Sequence, residues 1–354
     1  MASYRTQSIQ LHNFGTPPTL TEHEVDAPTG SEVLVRVTGA GVCHSDLHIQ
    51  DGYYDLGGGE HLSFKQRVTF PLTPGHEISG VVVARGEGVT DVTIGQNVLV
   101  CPWVGCGDCP RCTRGYENLC GNPEFLGVNR DGGYAEHVLV PHSRYLIDLG
   151  DLDPARAAPL TCSGLTTYSA IGKFGNELDN APLVIFGAGG LGLMAVGLLA
   201  MMGKTRPVVV EIDPERRSAA LTAGARAAID PTDGNADEQI RTAVGGPVLA
   251  ILDVVGAGAT FAQSYRLIEK GGRIVIAGLL GGDTRLQVPL IPMRSISIQG
   301  SYIGTLDELR ELVALVRTHG LPDIPVHTRE LHEAAQAMDE LRSGSVVGRL
   351  VLAP

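Results

Sequence analysis

The sequence predicts a mixed α/β fold in two parts: a β-rich part drawn from both ends of the chain, and a doubly wound parallel sheet inserted between them. Three observations predict it. Residues 183–186 (LVIF) form a short continuous apolar run, as in a strand buried on both faces. They lead directly into Gly187-Ala188-Gly189-Gly190-Leu191-Gly192 and an apolar helix through Met202. Beyond that turn, strand-like and helix-like segments alternate as far as residue 300. Before residue 156 and after Pro322, short apolar runs are instead punctuated by Pro and Gly, the texture of strands and turns. The implied division is 1–155 with 323–354 for the β-rich part, and 156–322 for the parallel sheet.

In chain order, residues 7–42 open the β-rich part, and residues 32–37 (EVLVRV) read as a half-buried strand. Residues 51–66, which hold Gly57, Gly58 and Gly59, are loop by composition and read as a connection. Strands follow at 78–83, 97–101 and 137–140, so a small barrel or sandwich fits. Residues 153–172 read as one helix carrying Cys162. After the glycine turn come a strand at 207–211, a helix at 214–223, a strand at 227–229, a helix at 237–244 and a strand at 248–255. A helix at 260–269 and strands at 273–277 and 296–300 complete a six-stranded sheet. A helix over 306–318 presents Leu309, Leu312, Val313 and Val316 at helical spacing, a core stripe. A strand at 326–331, a helix at 333–341 and a strand at 348–352 then rejoin the first part.

Bulk properties exclude several classes of function. A length of 354 residues exceeds one ordinary core, and 43% hydrophobic with 19% charged residues is a soluble globular composition. The net charge of −12 argues against a nucleic acid or an anionic membrane as partner, because either needs clustered Lys and Arg. No apolar run approaches the roughly eighteen residues of a membrane span, and residues 1–5 lack the apolar core of an export signal. The expected compartment is the cytoplasm.

Four of the seven cysteines, Cys106, Cys109, Cys112 and Cys120, fall within fifteen residues. In a chain without an export signal this spacing points to metal before disulfide. Thiolates separated by two residues reach one ion from a tight turn, and four sulfurs fill a tetrahedron with no position left for substrate. The segment therefore predicts a structural zinc. Cys101, on an apolar strand, reads as a core residue.

The glycine turn has a strand before it, a helix after it, and a second strand ending in Glu211, nineteen residues past Gly192. That context predicts dinucleotide binding. The glycines let backbone N–H groups and the helix N-terminus approach a pyrophosphate, while Glu211 accepts from ribose hydroxyls and repels a 2′-phosphate. NAD is expected over NADP, with Arg216 and Arg217 as the neighbours that keep NADP open.

Cys43-His44-Ser45-Asp46-Leu47-His48 packs a soft metal ligand, two imidazoles, a hydroxyl and a carboxylate into six residues. Alone, it is equally well a buried thiol beside a solvated histidine. With Gly75-His76-Glu77 and Cys162 it can complete a zinc site of two sulfurs and one nitrogen with a fourth position open, which is catalytic in form.

Over nearly the whole chain these residues resemble the zinc-dependent medium-chain alcohol dehydrogenases, and within them the tetrameric bacterial and archaeal branch. Five motifs agree in order: Cys43-His44-Ser45-Asp46, Gly75-His76-Glu77, the four-cysteine lobe at 101–121, Cys162 ahead of Gly164-Leu165-Thr166-Thr167-Tyr168, and Gly187 to Gly192. Archaeal relatives carry Glu where this chain has Cys106, so its lobe is the all-thiolate form. The resemblance implies a GroES-like catalytic domain joined to a Rossmann domain, two zinc ions per chain, and reversible hydride transfer between an alcohol and NAD. It implies that Cys43, His76 and Cys162 hold the catalytic zinc, with Glu77 as an alternative ligand and Asp46 behind the His76 ring. Ser45 and His48 would carry the proton toward solvent, and His44 and Arg349 would lie near the pyrophosphate. Trp103 would line the substrate pocket, and residues 295–301 would form the edge strand that pairs across a dimer axis in a homo-oligomer, tetramer or dimer. Polyol-type members of the family commonly use Glu as the third ligand, and Cys162 counts against that branch. Zinc-free reductases lack these thiols, and a non-catalytic binding protein would be expected to have lost Cys43 or His48.

Overall fold

The computed structural model of the chain describes residues 3–354. Its centre is a parallel sheet in the order Ala227–Ile229, Val208–Val210, Val184–Phe186, Ala250–Asp253, Arg273–Ile276, Ser297–Gly300. In sequence order that is 3-2-1-4-5-6, so the strand order reverses between Val184–Phe186 and Ala250–Asp253. The crevice at such a reversal is where an open α/β sheet binds its ligand. The central strands Val184–Phe186 and Ala250–Asp253 are wholly buried, which accounts for their unbroken apolar runs.

The β-rich part is a seven-stranded sheet in which Val33–Val42 pairs with both Glu77–Arg85 and the C-terminal strand Arg349–Ala353. Val326–Glu330 extends the same sheet beside Arg349–Ala353. The two ends of the chain thus build one unit around the parallel sheet, and a continuous apolar core joins them through Leu160, Leu165, Leu309 and Leu350. The helix Leu306–His319 contributes its buried stripe of Leu309, Leu312, Val313 and Val316. A reciprocal cap fixes its start: Thr305 Oγ1 accepts the Glu308 N–H at 3.1 Å and Glu308 Oε2 accepts the Thr305 N–H at 2.6 Å. Among the described residues no helix is long and apolar enough to cross a membrane.

Two local expectations are corrected. Residues 153–172 are not one helix: Pro154–Ala157 is α-helical, a 3-10 turn covers Ala158–Thr161, and the helix resumes at Ser163–Gly172. The break falls at Cys162 (φ −126°, ψ −73°), so its thiol does not lie on a helix surface. Residues 44–51 form a helix capped by Cys43. Finally, the glycine-rich stretch near residue 58 is no mere connection, for Tyr53–Gly57 and Glu60–Ser63 pair as a hairpin. Gly57, Gly58 and Gly59 all take positive φ at its turn. A Cβ at Gly57 would lie 2.6 Å from the backbone nitrogen of Asp283, so the hairpin tip touches the segment that follows Ala277.

Candidate active site and metal centres

Three distant segments bring Cys43, His76 and Cys162 together, with ligand atoms all within 4.8 Å of one another and all three side chains buried. Cys43 is presented by extended backbone (φ −119°, ψ 153°) at the start of the helix His44–Asp51. His76 follows Gly75, whose φ of +94° and closeness to Tyr134 (2.3 Å from a built Cβ to the ring) admit only glycine. Cys162 comes from the helix break.

Behind the imidazole, His76 Nδ1 lies 3.1 Å from Asp46 Oδ1, with both side chains wholly buried. The other carboxylate oxygen accepts the Cys43 N–H at 2.9 Å and the Tyr134 hydroxyl at 2.8 Å. Asp46 is therefore held from two sides, and it fixes which face of the ring is turned to the thiols. Burial alone would lower the His76 pKa, but the charges of Asp46 and Cys43 overcome it and hold the ring well above its ordinary value. A hydrogen bond from Cys162 pulls the Cys43 thiol down despite burial, and the same contact pushes Cys162 up. His76 Nε2 is buried with no hydrogen-bond partner. An unpartnered buried nitrogen flanked by two sulfurs fits zinc, whose catalytic sites combine such donors with an open position.

Glu77 stands outside this group. Its Oε1 accepts the Ser163 N–H at 3.2 Å and its Oε2 pairs with the Arg349 guanidinium. Burial pushes the Glu77 carboxyl up to about 7, with Arg349 opposing the rise. Arg349 in turn packs on the glycine turn, where a Cβ at Gly190 would lie 2.5 Å from its Cδ. One buried ion pair thus joins the segment that carries His76 to the glycine turn. Breaking such a pair by removing one partner costs about 3–5 kcal/mol.

A cavity of about 480 Å³ runs from Cys43, Ser45, His48 and Cys162 to Gly187, Gly189, Gly190, Leu191, Gly192 and Glu211, and His44 and Arg216 also line it. Gly192 lies so near the Gly187 carbonyl that a Cβ would sit 2.0 Å from its oxygen, while Gly189 faces open space. This is the close turn and open approach that a pyrophosphate requires at the N-terminus of the helix Gly190–Met201. Glu211 accepts the Ala188 N–H at 2.7 Å and the Asp213 N–H at 3.0 Å, one on each oxygen, so both keep a lone pair for hydroxyls. Arg216 donates to the carbonyls of Gly344 and Val346, and Arg217 pairs with Asp230 at 2.9 Å. Both cations that kept a 2′-phosphate open are therefore engaged.

Ser45 and His48, three apart on one helix face, are both half-buried in this cavity. The His48 ring lies 4.7 Å from that of Tyr54, and burial lowers its pKa. Trp103 lines the cavity while also packing: its Nε1 donates to the Thr161 carbonyl at 2.8 Å, and its ring meets Phe125 edge-on at 5.2 Å. Several lining or supporting residues had no role at the sequence level, among them Tyr134, Tyr54, Tyr302 and Arg67. Tyr134 supports Asp46 from 88 positions away, and no local pattern in the sequence marks that contact. The hairpin, read as a connection, supplies Tyr54, Leu62 and Ser63 to the wall.

The second cluster joins Cys106, Cys109, Cys112 and Cys120 within 4.8 Å. The Cys109 and Cys112 sulfurs are 3.4 Å apart, and those of Cys106 and Cys112 are 3.9 Å apart. These separations exceed a disulfide bond of about 2 Å and suit sulfurs around one tetrahedral zinc at about 2.3 Å from each. Backbone N–H groups of Cys106, Cys112 and Asn122 point at the sulfurs of Cys120, Cys109 and Cys120 in turn, which favours thiolates. Cys101 stays apart, its thiol pushed to about 12 by burial.

The family model for the alcohol dehydrogenase GroES-like domain matches residues 29–151, and that for zinc-binding dehydrogenase matches residues 190–318. An NAD-dependent alcohol dehydrogenase of Sulfurisphaera tokodaii is 35% identical over 98% of this chain and 100% of its own. An alcohol dehydrogenase of Geobacillus stearothermophilus is 34% identical over 93% of this chain and 94% of its own. The crystal structure of the alcohol dehydrogenase from the hyperthermophilic archaeon Aeropyrum pernix superposes with a TM-score of 0.86 at 32% identity, covering 98% of this chain and 100% of that one. The chain belongs to the zinc-type medium-chain alcohol dehydrogenases.

Proposed function

We propose that the protein is an NAD-dependent alcohol dehydrogenase that interconverts primary or secondary alcohols with aldehydes or ketones, using one catalytic and one structural zinc. The observation that carries this reading is that the Cys43, His76 and Cys162 cluster opens into the same cavity as the glycine turn and Glu211. In this reading Cys43, His76 and Cys162 hold the catalytic metal, and Cys106, Cys109, Cys112 and Cys120 hold the structural one. When bound, zinc supplies Lewis acidity that lowers the pKa of an alcohol, and NAD supplies a hydride acceptor.

The chain itself does the rest. Asp46, held by Tyr134, keeps His76 in one tautomer and raises its basicity as a ligand. Trp103 and Phe125 wall the reacting end with apolar surface and exclude water. Ser45 receives the alcohol proton and His48 passes it to solvent. The lowered pKa of His48 keeps its imidazole neutral, and so able to accept, below the ordinary value of about 6.5. Glu211 takes the adenosine ribose, and the engagement of Arg216 and Arg217 favours NAD over NADP. Arg349 and His44 flank the pyrophosphate position beside Gly190.

We assign 1–155 with 323–354 to the catalytic domain and 156–322 to the nucleotide domain. The exposed edge strand Ser297–Gly300, with Val288 at 66% and Met293 at 70% exposure nearby, supports a homo-oligomer formed through that edge, dimer or tetramer. A cytoplasmic site of action goes with this reading. The test is absorbance at 340 nm with NAD and then NADP against primary, secondary, cyclic and benzylic alcohols, with zinc measured on the same sample. Turnover with NAD and about two zinc per chain is expected from the two ligand sets. Full zinc without turnover on any alcohol would sink the proposal.

A further inference from the structure

The substrate end of the cleft is walled by aromatic side chains, among them Tyr54, Phe64, Trp103, Phe125 and Tyr302. A single acidic residue, Glu211, lines the whole cavity, and it stands at the nucleotide end. Three arginines line it. Arg349 is paired with Glu77, and Arg216 donates to two backbone carbonyls. Arg67 differs from both. Its backbone is fixed, with its N–H donating to the Phe64 carbonyl at 2.8 Å and its carbonyl accepting from Asn129 Nδ2 at 2.9 Å. Arg67 is exposed at the cavity, and its guanidinium makes no hydrogen bond or ion pair with any described residue, although it lines the same cavity as Cys43, His76 and Cys162. Burial raises the Tyr302 phenol and the charge of Arg67 draws it the other way, so the cation's field reaches the aromatic wall.

A guanidinium offers five donors in a planar fork that matches carboxylate and phosphate oxygens, and beside apolar surface it gains most by meeting an anion. We propose that Arg67 selects the substrate: the preferred alcohols carry an anionic group, a carboxylate or a phosphate monoester, remote from the carbinol carbon, and that group pairs with Arg67. This deepens the dehydrogenase reading and rests on it. The aromatic wall between Arg67 and the metal cluster then holds the linking chain, so chain length decides which members of the class react well.

The test is steady-state kinetics of the zinc-loaded enzyme with NAD on ω-hydroxy carboxylates of increasing length, their methyl esters, and the phosphate monoesters of the corresponding diols. At one chain length an anionic substrate should exceed its neutral ester in kcat/KM by roughly tenfold or more, the scale of one hydrogen-bonded charge contact. Which anion gives the larger ratio identifies carboxylate or phosphate as the group recognised. Arg67→Gln should collapse that ratio, and Arg67→Lys should restore part of it, because charge survives while the planar fork does not. An unchanged ratio in Arg67→Gln overturns the proposal, as does turnover of neutral alcohols with no anionic preference at any length. Failure of neutral and anionic alcohols alike would overturn the dehydrogenase reading, and this one with it.

Discussion

The two cysteine clusters are built on opposite plans. Cys106, Cys109, Cys112 and Cys120 come from one short stretch, and Cys106 is solvent-exposed. Cys43, His76 and Cys162 come from three segments that meet only in the folded chain, and all are buried. A local set of four thiolates can close around a cation with little help from the rest of the protein, and its binding energy goes into ordering the lobe. A set of three assembled at long range needs the whole fold first, and it leaves a position open toward the cavity. In the proposed reading the first plan serves stability and the second serves chemistry.

The sharpest way to break this contrast is to remove one ligand from each cluster. Cys162→Ala should reduce turnover to background and zinc content by one ion per chain, with little change in the thermal midpoint, as calorimetry and metal analysis would establish. Retained turnover would remove Cys162 from the reaction. Cys112→Ser should do the converse, lowering the midpoint by several degrees while activity at 25 °C survives. If both variants lost activity and stability in equal measure, the division of labour would be wrong.

Two milder changes grade the buried cluster from the inside. Asp46→Asn leaves the three ligands in place but removes the charge at His76 Nδ1, and its zinc affinity should fall by about 10–100-fold in a chelator competition. The lobe zinc should be unaffected. His48→Gln acts further out. The imidazole accepts a proton only when neutral, and burial lowers its pKa, so the wild-type relay persists at acidic pH. The variant should therefore lose most at low pH, by about tenfold, less than direct acid–base catalysis because His48 works at the outer end of the relay. The deficit should shrink as pH rises and solvent replaces the base. A pH profile of kcat parallel to that of the wild type would exclude His48.

The same contrast governs what was legible in the chain. The four-thiol lobe is visible because its ligands are sequence neighbours, and the parallel sheet because apolar runs and helical periods are local signals. Long-range contacts leave no such trace. The Tyr134 hydrogen bond to Asp46 spans 88 positions, and the Arg349 contact with Glu77 spans 272. The resemblance to a family implied Asp46 behind the His76 ring, where the two side chains lie 3.1 Å apart, and it offered Glu77 as an alternative ligand, whose oxygens here meet Ser163 and Arg349. The hairpin was missed for a different reason. Glu60–Ser63 is exposed at every position, so no apolar alternation marks it as a strand.

The two plans also touch, and the contact offers the smallest and most specific test. Glu117, inside the lobe, accepts the Gly105 N–H at 3.0 Å and the Tyr145 hydroxyl at 2.5 Å, which ties the lobe to the β-rich sheet. Its neighbour Asn118 donates from Nδ2 to the Tyr302 carbonyl at 2.8 Å, on the segment that walls the substrate end of the cavity. The Asn118 contact therefore ties the lobe to one wall of the pocket, while Trp103 lines the pocket directly. Asn118→Ala removes a single bond of about 1 kcal/mol, so KM should rise up to about fivefold while kcat and both zinc contents hold. A fall in kcat at constant KM would mean that this bond acts on the reacting atoms, and the separation of stability from chemistry would then fail there.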